Sequence, residues 1–482
     1  MSDWLTTNGA SDSQPHHQPS DLTLPLVTPK PQALPQPGDS RRWQLLTLAA
    51  ESPAALKNAA RDLAVYLKEN PHLHLADVAY TLQMIQKPHA HRMMTVCQHT
   101  KEAIRFLENP DSLPVSPAGE ETGWRPVVFM FPGGSLLRKP DVARELYDSE
   151  LIFRETIDIC AGILMPHLGY DVRNILYPAP GRSTAATSRL QEIAVSIPLI
   201  FILEYALAKL WLSWGIKPKA MLGYSLGEYV AACLANVISL PDLLPIVALG
   251  GRLLAQLPPL KFLNIAESEE KLKPLLVDKE ISLIAVNGPS LCLIGGTAKA
   301  IATLSQRLKC ENITTDYLNV GIASHTKWVN SFLEDYVEFG KRIPLQEPTI
   351  PYLSGLTGTW VSADDTSCAR YWGKVMNQTV RFADAISDLL QDPNQILLEL
   401  GPGTTLTTLV NRHPHKPEQT NVLNSLYLTA NHTRSDTKLA LTSLGQLWLA
   451  GTEVNWRAFY AGQRRYQVSL PYPLFETEFA AF

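Results

Sequence analysis

The sequence predicts an α/β protein built on a parallel sheet with helices on both faces, interrupted by a smaller α+β unit. Three stretches carry this expectation. The apolar run Pro126-Val127-Val128-Phe129-Met130-Phe131 reads as a buried strand. It enters a backbone-exposing loop, Pro132-Gly133-Gly134-Ser135, and amphipathic helical stretches follow at about 141–168 and 185–214. A second apolar run, 218–222, passes through Gly223-Tyr224-Ser225-Leu226-Gly227 into the helix-like Glu228-Tyr229-Val230-Ala231-Ala232-Cys233-Leu234. Strand–loop–helix alternation of this kind builds a parallel sheet. Residues 256–321 differ. Ile281-Ser282-Leu283-Ile284-Ala285-Val286 and Leu291-Cys292-Leu293-Ile294 flank Asn287-Gly288-Pro289 as a hairpin-like pair, and Gly296-Thr297 opens a helix to about Leu308.

The chain before the first buried strand divides in two. Residues 1–40 are rich in Pro, Gln, Ser and His and read as a disordered tail. Order is expected from the strand pattern at 41–48. Ser52-Pro53 then supplies a serine N-cap and a proline at the first helical position, for a helix to about Glu69. A second helix starts near Leu75-Ala76-Asp77, which makes 41–120 a small α/β module. The stretch 109–123, rich in Pro, Gly and Glu, reads as a linker. The expected division is a tail (1–40), a linker module (41–123), a large unit in two parts (124–255 and 322–435), an insertion (256–321) and a closing segment (436–482).

Composition narrows the function classes. The chain has 482 residues, 45% hydrophobic and 18% charged, enough for more than one core. A net charge of −4 and no basic stripe argue against nucleic acid. Six scattered cysteines suit buried thiols in a reducing cytosol rather than disulfides or a metal site. His72-x-His74 and His89-x-His91 lack further ligands at metal spacing and read as surface. Met1 to Thr7 lacks a signal-peptide pattern, and no uninterrupted 18-residue apolar segment is present. A cytoplasmic monomer without membrane contact, metal or bound cofactor is expected.

The chemistry centres on Ser225. Gly-x-Ser-x-Gly between a strand and a helix is a nucleophile elbow. Its glycines allow a turn too tight for a Cβ, and the serine is lifted to a helix N-terminus where backbone N–H groups can receive an oxyanion. An acyl-serine is the expected intermediate. Such a serine needs a base. His325, in Gly321-Ile322-Ala323-Ser324-His325, follows the insertion where the chain rejoins the main sheet. The sequence alone does not bring the two together.

Taken in order, several motifs resemble the acyltransferase domain of modular polyketide synthases, which is related to malonyl-CoA:acyl-carrier-protein transacylases. They are Phe129-Met130-Phe131-Pro132-Gly133, Leu203-Glu204-Tyr205-Ala206-Leu207, Met221 to Ala232, Val286-Asn287-Gly288-Pro289, Ala323-Ser324-His325, Glu399-Leu400-Gly401-Pro402-Gly403 and Leu470-Pro471-Tyr472-Pro473. The resemblance covers 41–482, with residues 41–120 similar to the linker that precedes such domains. No ketosynthase or carrier domain is visible, so the chain resembles a free-standing, trans-acting member that kept its flanking linkers.

The resemblance implies an α/β-hydrolase-like large subdomain with an inserted ferredoxin-like small subdomain. It implies ping-pong catalysis with Ser225 as nucleophile and His325 as general base. The Leu226 and Gly134 N–H groups would form the oxyanion hole. A backbone carbonyl near Val375 or Met376 would orient the histidine. The substrate would be an acyl-CoA or carrier-bound thioester. The acceptor would be the phosphopantetheine thiol of an acyl carrier protein within polyketide synthase machinery.

Four departures from the family pattern bear on the acyl group. The arginine that binds a malonyl carboxylate falls on Gly250 in Val247-Ala248-Leu249-Gly250-Gly251-Arg252-Leu253. Arg252 lies about 200° further around a helix. A carboxylate buried without a partner would cost roughly 3–5 kcal/mol. The usual Gln-Pro is Ile197-Pro198, and the usual histidine before the serine is Tyr224. The glycine-rich loop is altered at Leu136-Leu137. Ile322-Ala323-Ser324-His325 resembles relatives that take α-branched units more than those with phenylalanine at the Ser324 position. Gly250, Ile197, Tyr224, Ile322 and Ser324 are therefore the expected pocket residues, around an acyl group without a free carboxylate. The alternatives are a malonyl or methylmalonyl transferase with a rearranged pocket, a hydrolase that clears acyl groups from carriers, and a non-catalytic docking protein.

Overall fold

The structure, a computed structural model, describes residues 41–85, 89–116, 125–134, 137–318, 322–428 and 434–471. The expected tail, Ser135, Leu136, Gly321 and Tyr472-Pro473 lie outside these.

The chain opens with strand β1 (Gln44–Ala50), helices α1 (Pro53–Glu69) and α2 (Leu75–Ile85), strand β2 (His91–Cys97) and helix α3 (Thr100–Leu107). The Ser52 Oγ accepts the Ala55 N–H and caps α1, with proline in the first turn, as the sequence predicts. β1 and β2 pair antiparallel. Alternation splits their side chains. Leu46, Leu48, Met93 and Cys97 pack with α1 and α2, whereas Leu45, Met94 and Val96 join the main core.

The main unit begins at β3 (Val127–Phe131). Helices α4 (Arg144–Ser149), α5 (Leu151–Leu168), α6 (Arg173–Leu176), α7 (Ser183–Leu190) and α8 (Ile193–Ser213) lead to β4 (Pro218–Gly223), α9 (Leu226–Leu234) and α10 (Leu240–Leu254). Each long helical stretch expected from the sequence is therefore two helices. The first breaks at Glu150, held extended at φ −109°, where its buried carboxylate takes Arg41. The second breaks at Glu192, also extended, where the largely exposed α7 meets the buried α8. Helix α8 is long and apolar enough to cross a membrane, but its apolar window is 78% buried inside the protein, as a core helix is.

The insertion folds as β5 (Lys261–Ile265), α11 (Glu269–Leu272), β6 (Ile281–Gly288), β7 (Leu291–Gly296), α12 (Ala298–Cys310) and β8 (Thr315–Leu318). Its antiparallel order, β6-β7-β5-β8, is ferredoxin-like. The chain rejoins the main unit through α13 (Leu333–Gly340), β9 (Tyr352–Leu353), α14 (Ala363–Thr366), α15 (Ala369–Asn377), α16 (Phe382–Leu389), β10 (Ile396–Pro402), α17 (Thr405–Asn411), β11 (Asn421–Leu426), α18 (Asp436–Leu449) and α19 (Trp456–Phe459).

The main sheet runs β11-β10-β3-β4-β9, every pair parallel. Val127, Phe129, Phe131 and Met221 enter one core, and Val128, Met130, Ala220 and Leu222 the other. Both faces are thus covered, which explains strands that read as continuous apolar runs. Strand order reverses between β10 and β3, and crevices at such switch points, beyond the strands' carboxyl ends, hold ligands in open α/β sheets.

Helix α18, placed by the sequence in the closing segment, is part of the core. Its Leu441, Leu444 and Leu447 share a cluster with Leu45, Met94 and Val96 of the N-terminal module. Beside this seam Arg41 donates to Glu150 at 2.5 and 2.8 Å and to the Phe459 carbonyl at 2.8 Å. Its guanidinium also lies 3.8 Å from the Phe459 ring centre. Arg41 and Glu150 are each 4% exposed. Removal of one partner strands a buried charge. Arg41→Ala should therefore destabilise by about 3–5 kcal/mol in urea titration, and Arg41→Met/Glu150→Gln by clearly less.

Candidate active site

The site forms where β3, β4 and β10 end. Between β4 and α9 the chain turns at Ser225, with φ +56° and ψ −120°. The Gly227 N–H donates to the Tyr224 carbonyl at 3.0 Å and the Glu228 N–H to the Ser225 carbonyl at 3.0 Å. The positive φ falls on the serine itself, not on Gly223 or Gly227. Those glycines are needed for space. A Cβ on Gly223 would lie 2.3 Å from the Glu228 Cα, and one on Gly227 would lie 2.2 Å from the Phe131 carbonyl oxygen. Gly133 has φ +67°, and its Cβ would lie 2.2 Å from the Tyr224 carbonyl oxygen. The loop after β3 and the elbow after β4 therefore touch backbone to backbone.

The structure brings Ser225 and His325 together, with Oγ 2.6 Å from Nε2. The histidine's Nδ1 is 2.7 Å from the Gln378 carbonyl oxygen. A carbonyl only accepts, so Nδ1 carries the proton and Nε2 is left as the acceptor for the serine hydroxyl. Burial pushes the imidazole pKa down to about 4, and the Gln378 carbonyl pulls it partly back. The ring is therefore neutral at neutral pH, with Nε2 able to accept a proton. The orienting carbonyl differs from the expectation of Val375 or Met376. The Met376 carbonyl instead accepts the His325 backbone N–H at 2.8 Å. Gln378 is the C-cap of α15, where helical carbonyls lack intrahelical donors, so its oxygen is free for the ring.

Leu226 is the first residue of α9, so its N–H has no intrahelical partner. Gly134 lines the same cavity and sits close to Ile322 and Ile197. Its loop is held by Glu204 on α8, whose Oε1 accepts the Gly133 N–H at 2.8 Å. Burial, with Glu399 adding to it, holds the Glu204 pKa well above the carboxylate range. Glu228 accepts Ser354 Oγ at 2.8 Å and the Tyr371 hydroxyl, and its pKa is pushed up to about 7 by burial. It ties α9 to α15, the helix that presents Gln378.

A cavity of about 740 Å³ opens beside Ser225 and is lined by all of the expected pocket residues, Gly250, Ile197, Tyr224, Ile322 and Ser324. Tyr224 donates to Asn287 Oδ1 at 3.0 Å, so its hydroxyl is already engaged. At position 250 the wall of the cavity is formed by Met376 and Tyr336. A Cβ there would lie 2.9 Å from the Met376 Cε and 3.5 Å from the Tyr336 ring. Arg252 points away, donating to the His167 carbonyl at 2.9 Å. Among the described lining residues the one lysine or arginine is Arg412, an exposed residue after α17.

A family model for the acyl transferase domain matches residues 128–454. The chain belongs to the acyl transferase family of polyketide synthases. A second model, "CurL-like, PKS C-terminal", matches residues 44–107 of this acyltransferase. It is 32% identical over 429 residues to a phenolphthiocerol/phthiocerol polyketide synthase of Mycobacterium tuberculosis, covering 86% of this chain and 28% of that protein. The acyltransferase thus spans little more than a quarter of that relative. Among solved structures it is similar to the acyl transferase domain of ZmaA (TM-score 0.84, 36% identity, 90% of this chain and 99% of that one). It is also similar to that of SpnD in complex with 2-(pent-4-yn-1-yl)malonyl (TM-score 0.74, 31% identity, 87% and 98%).

Sequence reasoning missed several residues of the acyltransferase site. Glu204 and Asn287 stood inside recognised motifs, which marked their place without a role. Tyr336, the Gln378 carbonyl and the pocket role of the Met376 side chain carried no local signal. The pH dependence of Ser225 acylation follows from His325. The base is active when neutral, and its lowered pKa keeps it neutral in mild acid. Acylation rates measured against pH should hold from pH 8 to about 5.5 and fall with a midpoint near 4, not near the ordinary histidine value of about 6.5.

Proposed function

We propose that this acyltransferase moves an acyl group without a free carboxylate from an acyl thioester, through an ester on Ser225, to the phosphopantetheine thiol of an acyl carrier protein. The donor is an acyl-CoA or a carrier-bound thioester, and no bound cofactor takes part. The observation that carries the choice of acyl group is the wall at Gly250, where among the described residues Met376 and Tyr336 stand and no lysine or arginine does. A carboxylate brought to that wall would meet the Met376 methyl and the Tyr336 ring instead of a guanidinium. The bidentate pairing that makes arginine selective for carboxylates has no donor there.

The reaction follows from the geometry. His325 Nε2 takes the Ser225 proton as Oγ bonds to the thioester carbon. Negative charge on the carbonyl oxygen is met by the N–H groups of Leu226 and Gly134. The intermediate collapses, the C–S bond breaks, and the departing thiolate takes the proton from His325. The carrier thiol then gives its proton to Nε2, attacks the ester carbon and leaves with the acyl group, which returns the serine hydroxyl. The Gln378 carbonyl, at the C-terminal end of α15, stabilises the imidazolium formed in each half-reaction.

Intact-mass measurement of Ser225 adducts across an acyl-CoA panel tests this. Acetyl, propionyl or longer monoacyl groups should label at least about a hundredfold faster than malonyl or methylmalonyl, as expected for a carboxylate buried unpaired. Labelling by malonyl or methylmalonyl alone would overturn the reading. Gly250→Arg paired with Met376→Ala, which makes room for the new side chain, should raise malonyl labelling. Addition of a carrier protein should divert the acyl group from water to the carrier thiol, whereas hydrolysis that ignores the carrier would identify a hydrolase.

A further inference from the structure

Strand β6 of the small subdomain is hydrogen-bonded to Tyr224, the residue before Ser225, and to Thr379, the residue after Gln378. β6 is an edge of the four-stranded sheet. On one side Asn287, near its end, accepts the Tyr224 hydroxyl at 3.0 Å. Tyr224 immediately precedes Ser225. Its ring is fixed against Phe382, with centres 5.8 Å apart, and its backbone N–H donates to the Phe131 carbonyl at 2.9 Å.

On the other side the free edge of β6 is taken by the residues that follow Gln378. Thr379 Oγ1 donates to the Leu283 carbonyl at 2.8 Å. The Val380 N–H donates to the Ile284 carbonyl at 2.9 Å, and the Val286 N–H to the Val380 carbonyl at 2.8 Å. These bonds make a parallel bridge between Ala285 and Val380. The carbonyl that fixes the His325 tautomer is thus one residue from a clamp on the small subdomain. A single run, Leu283–Asn287, holds the chain next to the serine and the chain next to the histidine's partner.

We propose that β6 is a working part of the reaction centre, and that Asn287, through Tyr224, and Thr379, beside Gln378, are positioning residues that set the Ser225–His325 geometry. The inference rests on the proposed roles of Ser225 and His325. Misplacement of reacting groups by about 1 Å can cost on the order of a hundredfold in rate. Loss of one of several restraints should cost less, about tenfold. It should act on the rate of bond formation rather than on binding, since the Asn287 oxygen is already engaged by Tyr224 and Thr379 is not among the residues that line the cavity.

The probe is an alkyl fluorophosphonate. Ser225 Oγ bonds to phosphorus, fluoride leaves, and His325 takes the serine proton, so the rate reads the two residues without the natural acyl group or carrier. Maximal labelling rate and half-saturating concentration would be measured by intact mass for Tyr224→Phe, Asn287→Leu, Thr379→Val and Tyr224→Phe/Asn287→Leu, with His325→Ala as control. Each single variant should slow the maximal rate about tenfold with the half-saturating concentration within about twofold. The double variant should be no slower than either single, because both remove one hydrogen bond.

The inference is overturned by single variants within about twofold of wild type while His325→Ala abolishes labelling. It is equally overturned by losses that multiply in the double variant or that lie only in the half-saturating concentration. Labelling unchanged by His325→Ala would instead sink the proposed dyad. Tyr224→Phe keeps the ring against Phe382 and Thr379→Val keeps its branched shape, so these two decide the matter if Asn287→Leu does not fold.

Discussion

Two backbone turns in van der Waals contact hold the rest of the site in place. β3 and β4 run parallel with Phe131 opposite Gly223, so their outgoing loops leave the sheet side by side. Gly227 packs on the Phe131 carbonyl and Gly133 on the Tyr224 carbonyl, each without room for a Cβ. That contact brings Leu226 and Gly134 to one cavity and presents Ser225 with a positive φ, a conformation that costs of order 1–3 kcal/mol for a residue with a side chain. The strain persists because both turns leave the buried ends of their strands and neither can relax without opening the core.

Three buried carboxyls support this contact without lining the cavity. Glu204 holds the loop after β3, Glu228 ties α9 to α15, and Glu399 accepts the Leu406 and Thr407 N–H groups at the start of α17. Burial raises the pKa of each. The hydrogen bonds they accept fix the segments around the turns. The histidine likewise takes its orientation from a helix-end carbonyl rather than from an aspartate.

Much of this was legible in the sequence, for identifiable reasons. The serine cap of α1 depends on interactions within a few residues, and local pattern reports it well; the elbow and the glycine loop were legible as motifs, although contacts between the two segments are what require their glycines. The five pocket residues were found because departures from a family pattern mark places where the chain faces a ligand. The break at Glu150 was invisible, since its cause is an arginine far earlier in the chain. The orienting carbonyl was misplaced by two residues because a backbone acceptor leaves no trace in side-chain identity. The wall that Met376 and Tyr336 form at Gly250 depends on how three separate segments pack. The core role of α18 likewise depends on a partner sheet formed near the other end of the described chain.

The central claim is that two loops place two N–H groups around one acyl oxygen on Ser225. A crystal structure of the trapped acyl-enzyme tests it directly. The expected result is an ester on Ser225 Oγ whose carbonyl oxygen lies within hydrogen-bonding distance, about 2.7–3.1 Å, of both the Leu226 and Gly134 nitrogens. Its alkyl portion would run toward Gly250 and Met376. An acyl group on another residue, or a carbonyl oxygen turned away from both nitrogens, would contradict it.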